Sequence, residues 1–116
     1  MTVIAVHNPY VTMINTFTVE PERAQALADL LSEATDTVMR HRHGFRAANI
    51  HISNDRTRVV NYAQWDSEEA YHQMLADPAA REHMGGAAAI ATAFDPHLYT
   101  VVHVQGPAGS AAAGLC

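Results

Sequence analysis

The chain has 116 residues, 48% hydrophobic and 16% charged, with a formal net charge of −5 when the histidines are neutral. That length sets one domain as the expectation, and an acidic chain with scattered arginines and no aromatic–basic face argues against nucleic acid as a partner. The one cysteine, Cys116, is the last residue, which excludes an intrachain disulfide.

Met1 to Val6 lacks the basic start and long apolar run of a secretory signal, and no run nears the roughly 18 apolar residues of a membrane span. The expectation is a soluble, cytoplasmic protein with no membrane partner. Residues 1–9 read as an N-terminal arm, with Val3 to Val6 open to a short strand as well. Val11 to Val19 reads as a strand, with Val11, Met13, Asn15, Phe17 and Val19 on one face and Thr12, Ile14, Thr16 and Thr18 on the other. Asn15 interrupts an otherwise apolar face. Glu20-Pro21 starts a helix, because proline at the first helical position gives up only an N–H that has no partner there. Leu27, Leu30, Leu31, Ala34 and Val38 form its apolar stripe, and Gly44 ends it after the basic run Arg40 to His43.

Phe45 to Ser53 is a second strand, Asn54-Asp55-Arg56 a turn, and Thr57 to Asp66 a third strand. If Ser53 opposes Val59, then His51 opposes Asn61 and Asn49 opposes Ala63; a loop one residue different flips that parity. Ser67 or Asp66 caps a second helix with Glu68 and Glu69 in its first turn, and Asp77-Pro78 breaks or kinks it, with Pro78 restarting helix. Residues 79 to 93 are alanine-rich, weak at Gly85-Gly86, and closed by Pro96. His97 to Gln105 reads as a fourth strand, with Leu98, Thr100, Val102 and Val104 on one face. Residues 106–116 read as a small-residue tail that buries little and is expected to be flexible. The domain therefore spans 10–105 in the order βαββαβ. This is an α+β, ferredoxin-like split βαβ sandwich.

Two helices cover one face of such a sheet. Ile14, Ile50, Ile52, Val60, Tyr62, Leu98, Val102 and Val104 would form an apolar patch on the other, and a second copy closing a dimeric α+β barrel is the economical cover. The helix-side face carries Asn15, Asn49, His51, Asn61 and Trp65. Several polar groups in what should be core point to a cavity rather than to packing. Asn61 and Trp65 share a face roughly 13 Å apart along the strand. An amide and an indole N–H beside a flat ring suit a flat aromatic ligand bearing oxygen. A core tryptophan with an asparagine bonded to backbone is the plainer alternative. The eight histidines form no metal spacing, and no glycine-rich phosphate loop is present.

The segments Ile14 to Val19, Gly44-Phe45, His51 and Val60-Asn61-Tyr62-Ala63-Gln64-Trp65, followed by Ser67 and Ala70-Tyr71, resemble the antibiotic biosynthesis monooxygenase family. They are most similar to its cofactor-independent anthrone oxygenases of aromatic polyketide pathways. The resemblance spans about residues 10 to 105. It implies a cofactor-free oxidation of an anthrone to a quinone with O₂ as co-substrate, in a pocket where Asn15, Asn61 and Trp65 are catalytic. It implies substrate-binding roles for Tyr71, His51 and, more distantly, Arg81; Asn49 joins them through its expected place on the same face of the sheet. Two alternatives stay open. Haem-degrading relatives need an axial histidine on the second helix, where His83 is near, but Met74 stands where an aromatic wall belongs. A non-catalytic polyketide binder or a cyclase would keep the same pocket.

Overall fold

β-branched and aromatic residues build a sheet, and alanine-containing stretches build the helices that cover one side of it. The computed structural model describes residues 1–109; the tail from residue 110, with Cys116, lies outside the described residues. The elements are β1 (Val11–Thr18), α1 (Ala24–Thr37), β2 (Phe45–Ile52), β3 (Arg58–Trp65), α2 (Glu68–Leu75), α3 (Pro78–Ile90) and β4 (Ala93–Tyr99). The strands form one antiparallel sheet in the order β2-β3-β1-β4, the α+β ferredoxin-like arrangement. No helix among the described residues is long and apolar enough to cross a membrane.

α1 is shorter than expected. A 3-10 turn over Pro21–Arg23 precedes it, and a second over Met39–His41 follows it. Thr35 and Thr37 each return a side-chain hydrogen bond to the carbonyl four residues back, and Val38 adds β-branching, so the last turn is poorly suited to continue. Gly44 then takes a φ of +83°, and a Cβ there would lie 2.4 Å from the Ala70 Cβ. Only glycine lets the start of α2 sit this close. Ser67 caps α2 by accepting from the Ala70 N–H at 3.1 Å, and Asp77 caps α3 by accepting from the Ala80 N–H at 3.0 Å. The break at Asp77-Pro78 therefore makes two helices.

Two registers differ from expectation. In the β2–β3 hairpin, Ser53 pairs with Arg58 instead of Val59: its N–H donates to the Arg58 carbonyl at 2.9 Å and its Oγ accepts the Arg58 N–H at 3.0 Å. Asp55 fixes the tighter loop by accepting from Ser53 Oγ, Thr57 N–H and Thr57 Oγ1, and Arg56 takes a left-handed φ of 63°. The shift of one residue flips the face. His51 pairs with Val60 and Asn49 with Tyr62, so both face away from the helices, while Ile50 and Ile52 pack beneath them. A bulge between Phe45 and Ala47 brings Phe45 back opposite Trp65.

The fourth strand is Ala93–Tyr99, not His97 to Gln105. Pro96 lies inside it, opposite Asn15. β4 is an edge strand with one neighbour, so the missing N–H does not break a ladder on both sides. Leu98 pairs with Met13 and belongs to the helix side; Val102 and Val104 lie beyond the sheet. The open face thus keeps Ile14, Val60 and Tyr62 but none of the other five expected residues. The arm straps part of this face. Gln64, 2% exposed, donates to the Val3 carbonyl at 2.7 Å and accepts the Val3 N–H at 3.3 Å. Asn49 donates to Thr2, and the Arg46 guanidinium lies 3.9 Å above the Tyr10 ring.

The core is divided. One cluster gathers Met13, Ala63, Trp65, Ala70, Tyr71, Met74 and Ala80; the other gathers Phe17, Val19, Leu27, Ala28, Val59 and Ala87. Met13 pairs with Ala63 and Phe17 with Val59, so the rung between them, Asn15 opposite Asn61, is where the two clusters part.

Candidate active site

A cavity of about 180 Å³ opens at that rung, between the sheet and the helices. Its lining is mostly apolar: Met13, Phe17, Leu31, Phe45, Met74 and Ala87 among others. The polar groups in it are few: Asn15 from β1, Asn61 and Trp65 from β3, Thr35 from α1, Tyr71 from α2 and His83 from α3. Exposed Met84, Phe94 and Pro96 mark its mouth between α3 and the β4 edge.

Each strand residue reaches the cavity because of its parity. Asn15 and Asn61 are direct partners, and Trp65 follows two pleats along. Trp65 is 2% exposed, held edge-on by Phe45 with ring centroids 5.5 Å apart and by Tyr71 at 6.3 Å. These contacts fix the indole, yet its Nε1 has no hydrogen-bond partner, and neither has Asn61 Oδ1; both atoms are buried. A buried polar atom left unpaired costs about 1–3 kcal/mol. Two such atoms on one cavity wall are what a site waiting for a polar ligand looks like. Asn15 differs. Its Oδ1 accepts the Asp95 N–H at 3.2 Å, which leaves the amide N–H₂ as the group it offers. Tyr71 packs in the same cluster as Trp65, and burial pushes its phenol pKa up, so it stays a protonated donor.

The sequence-derived set thus divides. Asn15, Asn61, Trp65 and Tyr71 converge on the cavity. Asn49 and His51 sit on the opposite face of the sheet, since the hairpin register differs by one residue. Arg81 is exposed and off the lining, because one step along α3 from Ala80 turns it about 100° away from the buried stripe. His83, which the sequence offers as a haem-ligand candidate, lines the cavity; its spacing from Ala80 and Ala87 is the signal for that placement. No group of three or more His, Cys, Asp or Glu among the described residues is arranged to hold a metal ion.

Comparison with known proteins bears on this geometry. A family model described as antibiotic biosynthesis monooxygenase matches residues 10–85. Tetracenomycin-F1 monooxygenase of Streptomyces glaucescens is 44% identical over 72 residues, which are 62% of this chain and 64% of that relative, a little under two thirds of its length. Among solved structures, the monooxygenase from ActVA-Orf6 of Streptomyces coelicolor, in complex with nanaomycin D, superposes with a TM-score of 0.76 at 30% identity, covering 84% of this chain and 92% of that one. SnoaB of Streptomyces nogalater, a cofactor-independent oxygenase, superposes with a TM-score of 0.72 at 24% identity over 82% and 95% of the two chains; at that identity the likeness is one of fold.

Proposed function

The chain belongs to the antibiotic biosynthesis monooxygenase family, and on that premise we propose that it is a cytoplasmic, cofactor-independent monooxygenase. It oxidises an anthrone-type aromatic polyketide to a quinone with O₂. The observation that carries this reading is the pair of unpartnered buried atoms, Asn61 Oδ1 and Trp65 Nε1, on the wall of an otherwise apolar cavity. The names of two relatives support the substrate class: one acts on tetracenomycin F1, and another is bound to nanaomycin D.

The chemistry asks little of the protein beyond placement and electrostatics. An anthrone carries a CH₂ between two aromatic rings, conjugated with a ketone. Loss of a proton gives an electron-rich anion whose charge rests largely on the ketone oxygen. That anion passes one electron to O₂, the radical pair recombines at the same carbon, and the peroxide loses water to give the quinone. Donors aimed at the developing oxyanion stabilise it most where water is excluded. In this reading the amide N–H₂ groups of Asn15 and Asn61 face the oxyanion, and Trp65, two pleats along β3, supplies a ring wall and an N–H for an oxygen farther along the substrate. Asn61 Oδ1 accepts from a ring hydroxyl, and Tyr71 donates to a second oxygen. Phe45, Met13 and Met74 pack the rings. An apolar cavity of about 150 Å³ takes benzene. A polycyclic substrate therefore seats one end in this site and extends through the mouth past Phe94 and Met84.

The same reading gives the chain a second copy across its open sheet face, where Ile14, Val60 and Tyr62 remain as the apolar strip. The test of function is direct. Chelator-treated protein is incubated with an anthrone under air, and quinone absorbance and O₂ uptake are followed together. Equimolar gain and consumption supports the proposal. Tight binding without turnover points instead to a polyketide binder.

A further inference from the structure

α3 closes the cavity on the side facing the sheet, and its spacing decides which side chain reaches in. Ala80 and Ala87, 0% and 2% exposed, mark its buried stripe. Ala80 packs in the cluster containing Trp65, and Ala87 in the cluster containing Phe17. His83 follows Ala80 by three residues and precedes Ala87 by four, so it falls on the same stripe, at the level where the two clusters part. That is the level of the Asn15–Asn61 rung. The imidazole therefore lines the helix wall of the cavity while the asparagines line the sheet wall.

We infer that His83 is the general base of the reaction, the group that takes the proton from the substrate's CH₂. This rests on the oxygenase reading above. Two observations single it out. His83 and Tyr71 are the titratable side chains among the residues lining the cavity. Tyr71 is held as a protonated phenol by its burial, so it serves as a donor and not as a base. Asparagine and tryptophan hold no exchangeable base at all, and His51 is on the other side of the sheet. The α1 and α2 residues that share the lining with His83 (Leu31, Ala34, Thr35, Tyr71, Met74 and Leu75) carry no charge, and its charged helix neighbours Arg81 and Glu82 are exposed.

The proton balance closes on one imidazole. His83 removes a CH₂ proton, leaving imidazolium and the anion whose oxygen faces the asparagines. The anion reduces O₂ and recombines with it, forming a carbon–oxygen bond and a peroxide anion, which the imidazolium protonates. Neutral His83 then takes the second proton from the same carbon. The carbon–oxygen double bond forms as the O–O bond breaks, and the departing hydroxide receives the proton from His83 as water. One O₂ is consumed, one oxygen atom enters the product and the other leaves as water.

The test uses the full chain, an anthrone and two substitutions, His83→Gln and His83→Ala, both residues that a helix accommodates. The single tryptophan lines the cavity, so quenching of its fluorescence by the quinone product reports occupancy in each variant. The expected result is retained binding with turnover at pH 7 lower by about 10²- to 10⁴-fold, the span of general-base catalysis. The deficit should shrink by about tenfold per pH unit as hydroxide replaces the missing base. Added imidazole should restore rate to His83→Ala, which has room for it, more than to His83→Gln. Variants that bind product and turn over within about twofold of the parent overturn the assignment. So does a deficit independent of pH and imidazole. An inactive parent overturns the oxygenase reading itself, which separates the two failures.

Discussion

Replacing Asn61 with alanine separates a binding residue from a packing residue by the sign of its effect on stability. In the free protein Asn61 Oδ1 is buried with no partner. Removing it relieves about 1–3 kcal/mol of unmet desolvation. The variant also loses the packing of roughly one methylene-sized group, about 0.8 kcal/mol, with little new cavity cost because the residue already borders open space. The net is a stabilisation of about 0–2 kcal/mol, or a Tm change from none to about +8 °C at roughly 4 °C per kcal/mol. Turnover should move the other way, falling on the order of 10²- to 10³-fold as when one oxyanion donor is lost. Differential scanning fluorimetry gives the first quantity and anthrone oxidation the second. Combining Asn15→Ala with Asn61→Ala should lose less than the product of the single effects if both amides serve one oxygen. A variant that melts several degrees lower and keeps parental turnover would refute the reasoning, since Asn61 would then be holding the fold and not the ligand.

Trp65→Phe keeps most of the ring that packs on Phe45 and Tyr71 and deletes the unpartnered N–H. It should stay folded and lose turnover, and parental kinetics would remove Trp65 from the site. Val60→Lys places a charge on the strip assigned to the second copy, so light scattering should report a dimer for the parent and a monomer or unfolded chain for the variant; a parent that scatters as a monomer at micromolar concentration contradicts the dimer. The purified protein should carry no stoichiometric iron, flavin or haem by metal analysis and visible spectrum, and a haem band would redirect His83 to the haem-degrading reading. Asp55 accepts three hydrogen bonds in the hairpin loop, led by the Thr57 N–H and the Ser53 hydroxyl, and its pKa falls from 3.8 to about 2. A depressed carboxylate stabilises the fold above its unfolded pKa and loses that contribution as pH falls toward the folded value. Acid melts between pH 4 and 2 should therefore show the parent losing stability more steeply than Asp55→Asn.

Local pattern determined much of this protein. The alternation Val59, Asn61, Ala63, Trp65 put the amide and the indole on one face whatever β3 paired with, and the periodicity of Met13, Asn15 and Phe17 did the same for β1. Ser67 and Asp77-Pro78 announced the helix starts through capping chemistry. These are properties of residues near in sequence, so the alternation of strands with helical stretches and the Asn15–Asn61–Trp65 wall were legible. What pairing decides was not. The side of the sheet on which Asn49 and His51 lie depends on one residue of loop length, and that length is set by the Asp55 carboxylate binding Ser53 and Thr57. Pro96 reads as a stop in isolation and is tolerated in β4 because the strand is an edge. His83 enters the cavity, and Arg81 does not, because α3 rests on the sheet through Ala80 and Ala87, a choice of face that an alanine-rich helix leaves almost unmarked until something is packed against it.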